Sequence, residues 1–318
     1  MKEKKYYQRG IIIACISLLW CINVQASEVT EDSTESNIDD IMIEYNVKTG
    51  ETREIDMSEL EDATGLSTES FVPDDLPIKE GLAKDLPTPR DIIGSDDRII
   101  VDSTRSFPMS ATGYITNSFS KRGTAWLFAP QYIATAAHCL VDDGEITTSA
   151  TFSPGRAGDS LPWGQSSVEI DTIMVPQSYL LSKSLEGDYA IAKIASPLGN
   201  NCGYFGIQNI IPDMGSYLEI YGYPSHIPGQ DEEKDPQTRI QCIGWGNIVG
   251  YNTNDRLIYY DCDTLEGMSG GPMAYYTNGN FVSIGIHTQG TSVNGSRYNS
   301  GVRLYSNVYN LMYNIANK

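Results

Sequence analysis

The sequence predicts an all-β protein, and three observations carry that reading. Short segments that alternate apolar and polar residues recur between clusters of Gly, Pro, Asn and Asp. Helical periodicity is confined to the C-terminus. The region from Asp91 to Lys318, 228 residues long, suits one domain or two fused barrels.

In chain order the strand candidates are GTAWLFAP (123–130), QYIATAAH (131–138), DYAIAKI (188–194), YLEIYGYP (217–224), RIQCIGWGNIVG (239–250), RLIYYDC (256–262) and FVSIGIH (281–287). Their β-branched and aromatic content favours a pleated, half-buried surface over a helix. The final stretch, SNVYNLMYNIANK (306–318), places Val308, Leu311, Met312 and Ile315 on one helical face.

The chain before Asp91 has a different character. Residues 1–26 read as an export signal, with Lys2, Lys4, Lys5 and Arg9 ahead of the apolar run IIIACISLLWCINV (11–24) and a small residue, Ala26, at its end. That run is shorter than the ~20 residues a membrane span needs, so no membrane association is expected once the signal is removed. Cys15 does not read as a lipid anchor, because almost none of the apolar run precedes it. A secreted, extracellular product is expected. Residues 27–90 carry 18 acidic against 5 basic side chains, a net charge of −13, and end in a Pro-rich stretch. Such composition does not read as core material; it implies a segment that is disordered or folds only against something else, and a removable propeptide fits both. Within it, IMIEYNVKTGETREI (41–55) alternates toward a Lys-Thr-Gly turn and predicts a hairpin, expected to dock on the domain that follows. That domain, 91–318, has 22 acidic and 13 basic residues, which argues against nucleic acid or an anionic membrane as partner.

Three polar residues stand out against this β background. His138 follows an apolar strand in IATAAHC, Asp188 precedes one in GDYAIAKI, and Ser269 sits in the glycine turn GMSGGP. A serine hydroxyl is a weak nucleophile until a nearby base takes its proton. An imidazole titrating near neutrality suits that task, and a carboxylate can hold the ring's tautomer and stabilise the imidazolium. Each residue alone is an ordinary turn, cap or core residue; their joint occurrence in a chain with only three histidines is the signal.

The order His138, Asp188, Ser269, with these flanks, resembles the chymotrypsin-like serine proteases. The resemblance implies two antiparallel six-stranded β-barrels with the site in the crevice between them, followed here by the short C-terminal helix. It also implies that the backbone N–H groups of Gly267 and Ser269 form the oxyanion hole. Met268 departs from the trypsin-like pattern, in which an aspartate at that place receives the new N-terminal ammonium after zymogen cleavage. IIGSDDR (92–98), SPGRAGDSLPWG (153–164), GYFG (203–206), GYP (222–224), DTLEGMSGGP (263–272) and IGIHTQG (284–290) resemble a narrower group, the bacterial glutamyl endopeptidases. In that group a substrate glutamate is held by a threonine, a histidine and the mature α-amino group, which implies roles for Thr264 and His287. If His287 meets its substrate as imidazolium, the bound carboxylate should raise its pKa.

Two residues keep a rival open. Asp263 lies where trypsin-like enzymes carry the acid that binds Arg or Lys, and Glu266 would repel an acidic substrate. A catalytically dead binding protein of the same fold is the alternative from another class. Arg90 ends TPR just before DIIGSDDR, so cleavage there frees Asp91; a glutamate-specific enzyme could not make that cut, and a separate activating protease is expected. The other expected partners are protein or peptide substrates. Export permits disulfides between Cys139, Cys202, Cys242 and Cys262. Cys242 and Cys262 flank the turn 251–254 symmetrically, leaving either a 242–262 bridge or two buried thiols. No cysteine–histidine spacing suggests zinc, and no metal or other cofactor is expected.

Overall fold

The computed structural model describes residues 37–63, 65–79, 96–164, 167–229, 239–293 and 295–317. The export signal, Arg90 and Asp91 lie outside these residues. The strands run in chain order as β1 (Ile41–Asn46), β2 (Thr52–Asp56), β3 (Ile99–Ile100), β4 (Thr112–Asn117), β5 (Arg122–Ala129), β6 (Tyr132–Thr135), β7 (Val141–Asp142), β8 (Glu145–Ile146), β9 (Ala150–Pro154), β10 (Val168–Pro176) and β11 (Ala190–Ile194). They continue as β12 (Gly206–Ile207), β13 (Tyr217–Gly222), β14 (Cys242–Tyr251), β15 (Leu257–Tyr260), β16 (Pro272–Thr277), β17 (Asn280–Val293) and β18 (Ser296–Arg303). Helices α1 (Gln177–Ser182) and α2 (Gly199–Cys202) are short, and α3 (Ser306–Ala316) closes the chain.

Two closed six-stranded antiparallel barrels result. In the first, β4, β5, β6, β9, β10 and β11 form a ring sealed by β10 against β11. In the second, β13 to β18 close through β17 against β18. Closure removes the unpaired edges an open sheet would expose. It also explains why β5 is buried almost along its whole length: Ala125, Leu127 and the large Trp126 and Phe128 are shielded on both faces. On α3 the predicted face is confirmed for Val308, Leu311 and Met312, all buried, with Ile315 packed at the edge; Tyr309 joins them.

The acidic segment departs from its composition. Residues 41–56 form the expected hairpin, and β1 pairs antiparallel with β10 from Met42 opposite Pro176 to Asn46 opposite Thr172. Strand β9 covers only Val168 and Glu169 of β10, and β1 takes the rest of that edge. Beyond the hairpin the chain stays attached. The Ala63 N–H donates to Asn310 Oδ1 (3.0 Å), Tyr309 Oη donates to the Leu66 carbonyl (2.8 Å), and Phe71 bridges to Tyr204. Met42, Met57, Ala63 and Leu76 enter the core shared with the first barrel and α3. The expectation that this stretch holds no core material is therefore corrected. An average charge hides a few well-spaced apolar side chains, and those suffice when a barrel supplies the opposite face.

The four cysteines of the described domain are buried free thiols, so no 242–262 bridge forms. The hairpin turns later than its sequence suggests. Tyr251 pairs with Ile258 and Ile248 with Tyr260, which sets Cys242 opposite Gly222 on β13 rather than opposite Cys262. Burial pushes the Cys242 thiol up to about 12.

Candidate active site

His138 sits in a 3-10 turn, Ala137–Cys139, directly after β6, with both flanking residues buried as anchors. Asp188 comes just before β11, which pairs with β6, so the sheet itself brings the two together. The Asp188 carboxylate is bidentate: Oδ2 lies 2.8 Å from His138 Nδ1, and Oδ1 accepts the His138 backbone N–H at 3.0 Å. Both bonds fix the ring's position. Burial lowers the His138 pKa, but the adjacent Cys139 sulfur and the Asp188 carboxylate outweigh it, and the net direction is well above the ordinary value.

Ser269 arrives from the second barrel on the tight turn before β16, closed by the Gly271 N–H to the Met268 carbonyl (3.0 Å). Gly270 has φ +89°, and a Cβ there would strike the Thr124 carbonyl and the Thr135 hydroxyl, so only glycine fits. Gly267, at φ +95°, is likewise pressed against the Tyr223 carbonyl. Among the described residues neither the Gly267 nor the Ser269 N–H finds an acceptor, the state an oxyanion hole requires. Ser269 and His138 line the same cavity of about 620 Å³. Here Ser269 Oγ donates to the Thr288 carbonyl at 3.0 Å, so donating its proton to His138 means giving up that bond.

Thr264 and His287 line that same cavity beside Ser269, with Thr288 and Asn299 completing the wall. His287 is buried, and its Nδ1 lies 2.5 Å from the Tyr260 hydroxyl. Burial pushes its pKa down to about 3, so the free protein carries a neutral ring rather than an imidazolium. Asp263 is not among the lining residues. Its Oδ2 accepts the Asp97 N–H at 3.0 Å, and burial, with Asp97 and Asp96 nearby, lifts its pKa to about 7. Glu266 is exposed at the cavity rim.

Met268 is fully buried within the second barrel, against the backbone of Gly222. Its Sδ faces Arg98 Nη1 at 4.0 Å. The Arg98 side chain is 2% exposed and held by Asp96 through two bonds, Nε to Oδ1 at 2.8 Å and Nη2 to Oδ2 at 2.6 Å. Met268 thus stands where trypsin-like enzymes would carry the aspartate, and the charge nearest to it on Arg98 is already balanced by Asp96.

Over residues 101–314 the chain matches the trypsin family. It belongs to that family. It is a serine endopeptidase, 32% identical to the glutamyl endopeptidase of Bacillus licheniformis over 236 residues, which cover 72% of this chain and 70% of that protein. A solved structure of a Glu endopeptidase in complex with MPD superposes with a TM-score of 0.61 at 26% identity, covering 71% of this chain and 100% of that one. The chain is also 25% identical over 326 residues to a Bacillus subtilis protein named extracellular metalloprotease, covering 99% of this chain and 98% of that protein. Among the described residues no group of three or more His, Cys, Asp and Glu is placed to hold a metal ion.

Many members of the trypsin family bridge the cysteine after the catalytic histidine to the preceding strand. In this member Gly123 stands opposite, its absent Cβ only 2.5 Å from Cys139 Sγ, and the thiol packs there unbridged. Sequence reading missed three residues that shape the site. Thr124 on β5 donates its N–H to the Ser269 carbonyl (2.8 Å) and its hydroxyl to the Gly267 carbonyl (2.9 Å), clamping the nucleophile's turn across the barrel interface. Tyr260 orients His287, and Thr288 holds the serine hydroxyl. Thr124 and Tyr260 inside apolar strands carry no local signature of such roles, and Thr288 acts through its backbone carbonyl, which any residue there would supply.

Proposed function

We propose that this protein is a secreted endopeptidase that cleaves after Glu or Asp through an acyl-enzyme formed on Ser269. Ser269 Oγ, once released from Thr288, gives its proton to His138 and attacks the scissile carbonyl. Asp188 holds the ring and balances the imidazolium, and the Gly267 and Ser269 N–H groups receive the oxyanion, one such donor being worth ~3 kcal/mol. His138 then returns the proton to the leaving amine.

The observation that carries the specificity is a buried, uncharged His287 lining the cavity beside Thr264, while the Asp263 carboxylate is engaged elsewhere. The Tyr260 hydroxyl, whose pKa burial drives well above its ordinary value, stays protonated and donates to Nδ1. The ring's own proton then belongs on Nε2. In the free protein the Ser300 backbone also hydrogen-bonds the ring, so an acidic side chain would take over that N–H together with the Thr264 hydroxyl, each charge-assisted bond contributing ~1.5–3 kcal/mol. For a cationic side chain the sequence-predicted acceptor is displaced: Asp263 serves the Asp97 N–H and lies off the cavity wall, Asp188 is paired with His138, and Glu266 sits exposed at the rim. Secretion is supported by the basic-then-apolar start of the chain. The cut that releases Asp91 is assigned to a separate protease of basic specificity.

A peptide-library digest tests the reading. Glu is expected on the acyl side of most cuts, and His287→Ala is expected to lose that preference. Cuts after Arg or Lys by the parent, or unaltered Glu cleavage by His287→Ala, would overturn it.

A further inference from the structure

The reactive centre is flanked by a second cavity of about 460 Å³ that shares His138, Glu266 and Ser269 with the first but is otherwise built from Ser120, Lys121, Arg122 and Gly267. If the Thr264–His287 cavity holds the acyl side of the substrate, as proposed above, the peptide leaving with the amine lies along this second cavity. Its own walls come mainly from the first barrel's β4–β5 turn, whereas the acyl cavity takes residues from both barrels, His287, Thr288 and Asn299 of β17 and β18 facing Tyr179 and Lys183 of the β10–β11 connection.

The charges in this second cavity are unequal in freedom. Lys121 is committed: Nζ lies 2.7 Å from Asp142 Oδ1 and donates to the Val141 carbonyl at 2.8 Å. His138 belongs to the catalytic pair. Arg122 is half-buried at the start of β5, and among the described residues its guanidinium has neither a hydrogen-bond acceptor nor an ion-pair partner. Glu266 is exposed at the rim and makes no ion pair with it. A guanidinium is a planar fork whose geometry matches a carboxylate. Successive residues of an extended peptide advance ~3.3 Å with side chains on alternating faces, so one of the first two residues past the scissile bond falls within its reach.

We propose that Arg122 is a specificity-determining residue that selects an acidic side chain at the first or second position on the leaving side of the scissile bond. Glu266 opposes that selection from the rim. Together with the acyl-side reading, this makes runs of acidic residues the preferred substrate segments.

The test uses the processed, secreted protein and two parallel sets of internally quenched peptides, one with Glu and one with Arg on the acyl side. In each set the first two leaving-side positions are varied among Asp, Glu and their amide isosteres Asn and Gln. Rates are normalised by active-site titration. The parent is expected to favour acid over amide about three- to tenfold in kcat/KM, a range set by a partly exposed charge-assisted pair. Arg122→Gln should bring that ratio to about one, Arg122→Lys should restore part of it, and Glu266→Gln should raise it. Raising salt from about 0.05 to 1 M should shrink the parent's ratio, because the Debye length falls from more than 10 Å to about 3 Å. A merely structural role for Arg122 would alter the titrated fraction and leave the ratio intact. A flat acid-to-amide ratio in the parent, or one that survives Arg122→Gln, overturns the proposal. Failure of the acyl-side reading shows separately, as cleavage confined to the Arg set, where the leaving-side ratio is still scored.

Discussion

Met42→Ala, made in a Ser269→Ala background to prevent self-digestion, asks whether the acidic N-terminal segment is part of the folded body or a loose cover. The Met42 side chain is fully buried, on the strand that completes the edge of β10. Truncation removes three outer heavy atoms, about 2 kcal/mol of transfer energy at roughly 0.8 kcal/mol per methylene-sized group. The surrounding barrel strands can only partly collapse, which adds about 1–2 kcal/mol of cavity cost. The expected loss is ~3–4 kcal/mol, a large share of the ~5–15 kcal/mol that stabilises an ordinary domain. Urea unfolding followed by tryptophan fluorescence measures it, with an unchanged slope in denaturant showing that only stability moved. Because Met42, Met57 and Leu76 share one core with the first barrel and α3, a single shifted transition is expected. A variant within about 0.5 kcal/mol of the parent would refute the packing argument. So would a separate early transition that leaves the main one in place.

Two further predictions follow from the site and the chain's start. Because the His138 pKa is raised, the base is protonated, and idle, up to a pH above its ordinary 6.5; kcat/KM should therefore rise with pH through a midpoint above that value. The raised pKa has the opposite sign for stability: its contribution is full below about 6.5 and is lost as pH climbs through the folded-state value. An activity midpoint at or below 6.5 would contradict the assigned surroundings. For processing, a purified Ser269→Ala precursor should be cut at Arg90 by an added protease of basic specificity and should stay intact alone. Wild-type precursor that matures at Arg90 unaided, where Ser269→Ala does not, would revive basic specificity.

The sequence made the barrels legible where strands keep bulky alternation, and hid them where they do not. β5, β6, β11, β13, β14, β15 and β17 all fall on segments recognisable from pattern. β18, with Ser, Asn and Gly at its centre, reads as a loop, yet it pairs with β17 along most of its length because close packing needs small residues there; a Cβ on Gly301 would strike the Ile286 carbonyl. Gly113, the second residue of β4, is pressed beneath Phe152 for the same reason. The proposed trio of His138, Asp188 and Ser269 stood out because the three residue types occur together at strand ends and in a glycine turn, in a chain with only three histidines. Thr124, Thr288 and Tyr260 did not, since each acts through a partner far away in the chain. The supposed symmetry of Cys242 and Cys262 failed by a shift of the turn, a kind of error a period-two pattern cannot detect.

Met268 poses the remaining physical question: how a nucleophile's turn is held without the buried acid that trypsin-like enzymes use. A methionine cannot bind an ammonium, and a lone charge beside it would cost several kcal/mol in desolvation. Among the described residues, no lone charge is placed there. Arg98 comes with its own counterion, since Asp96 engages it bidentately, and together they present to Met268 a neutral, filled surface. Between the two members of that pair, the Asp97 N–H ties down Asp263, and β3 pairs Ile99 and Ile100 with β14. Both ends of the stretch 263–268 are thereby met by residues 96–98, Asp263 by the Asp97 N–H and Met268 by Arg98. The support behind Ser269's turn thus comes from a backbone hydrogen bond and an internally neutralised side chain, and it calls for no ammonium paired with an acid at position 268.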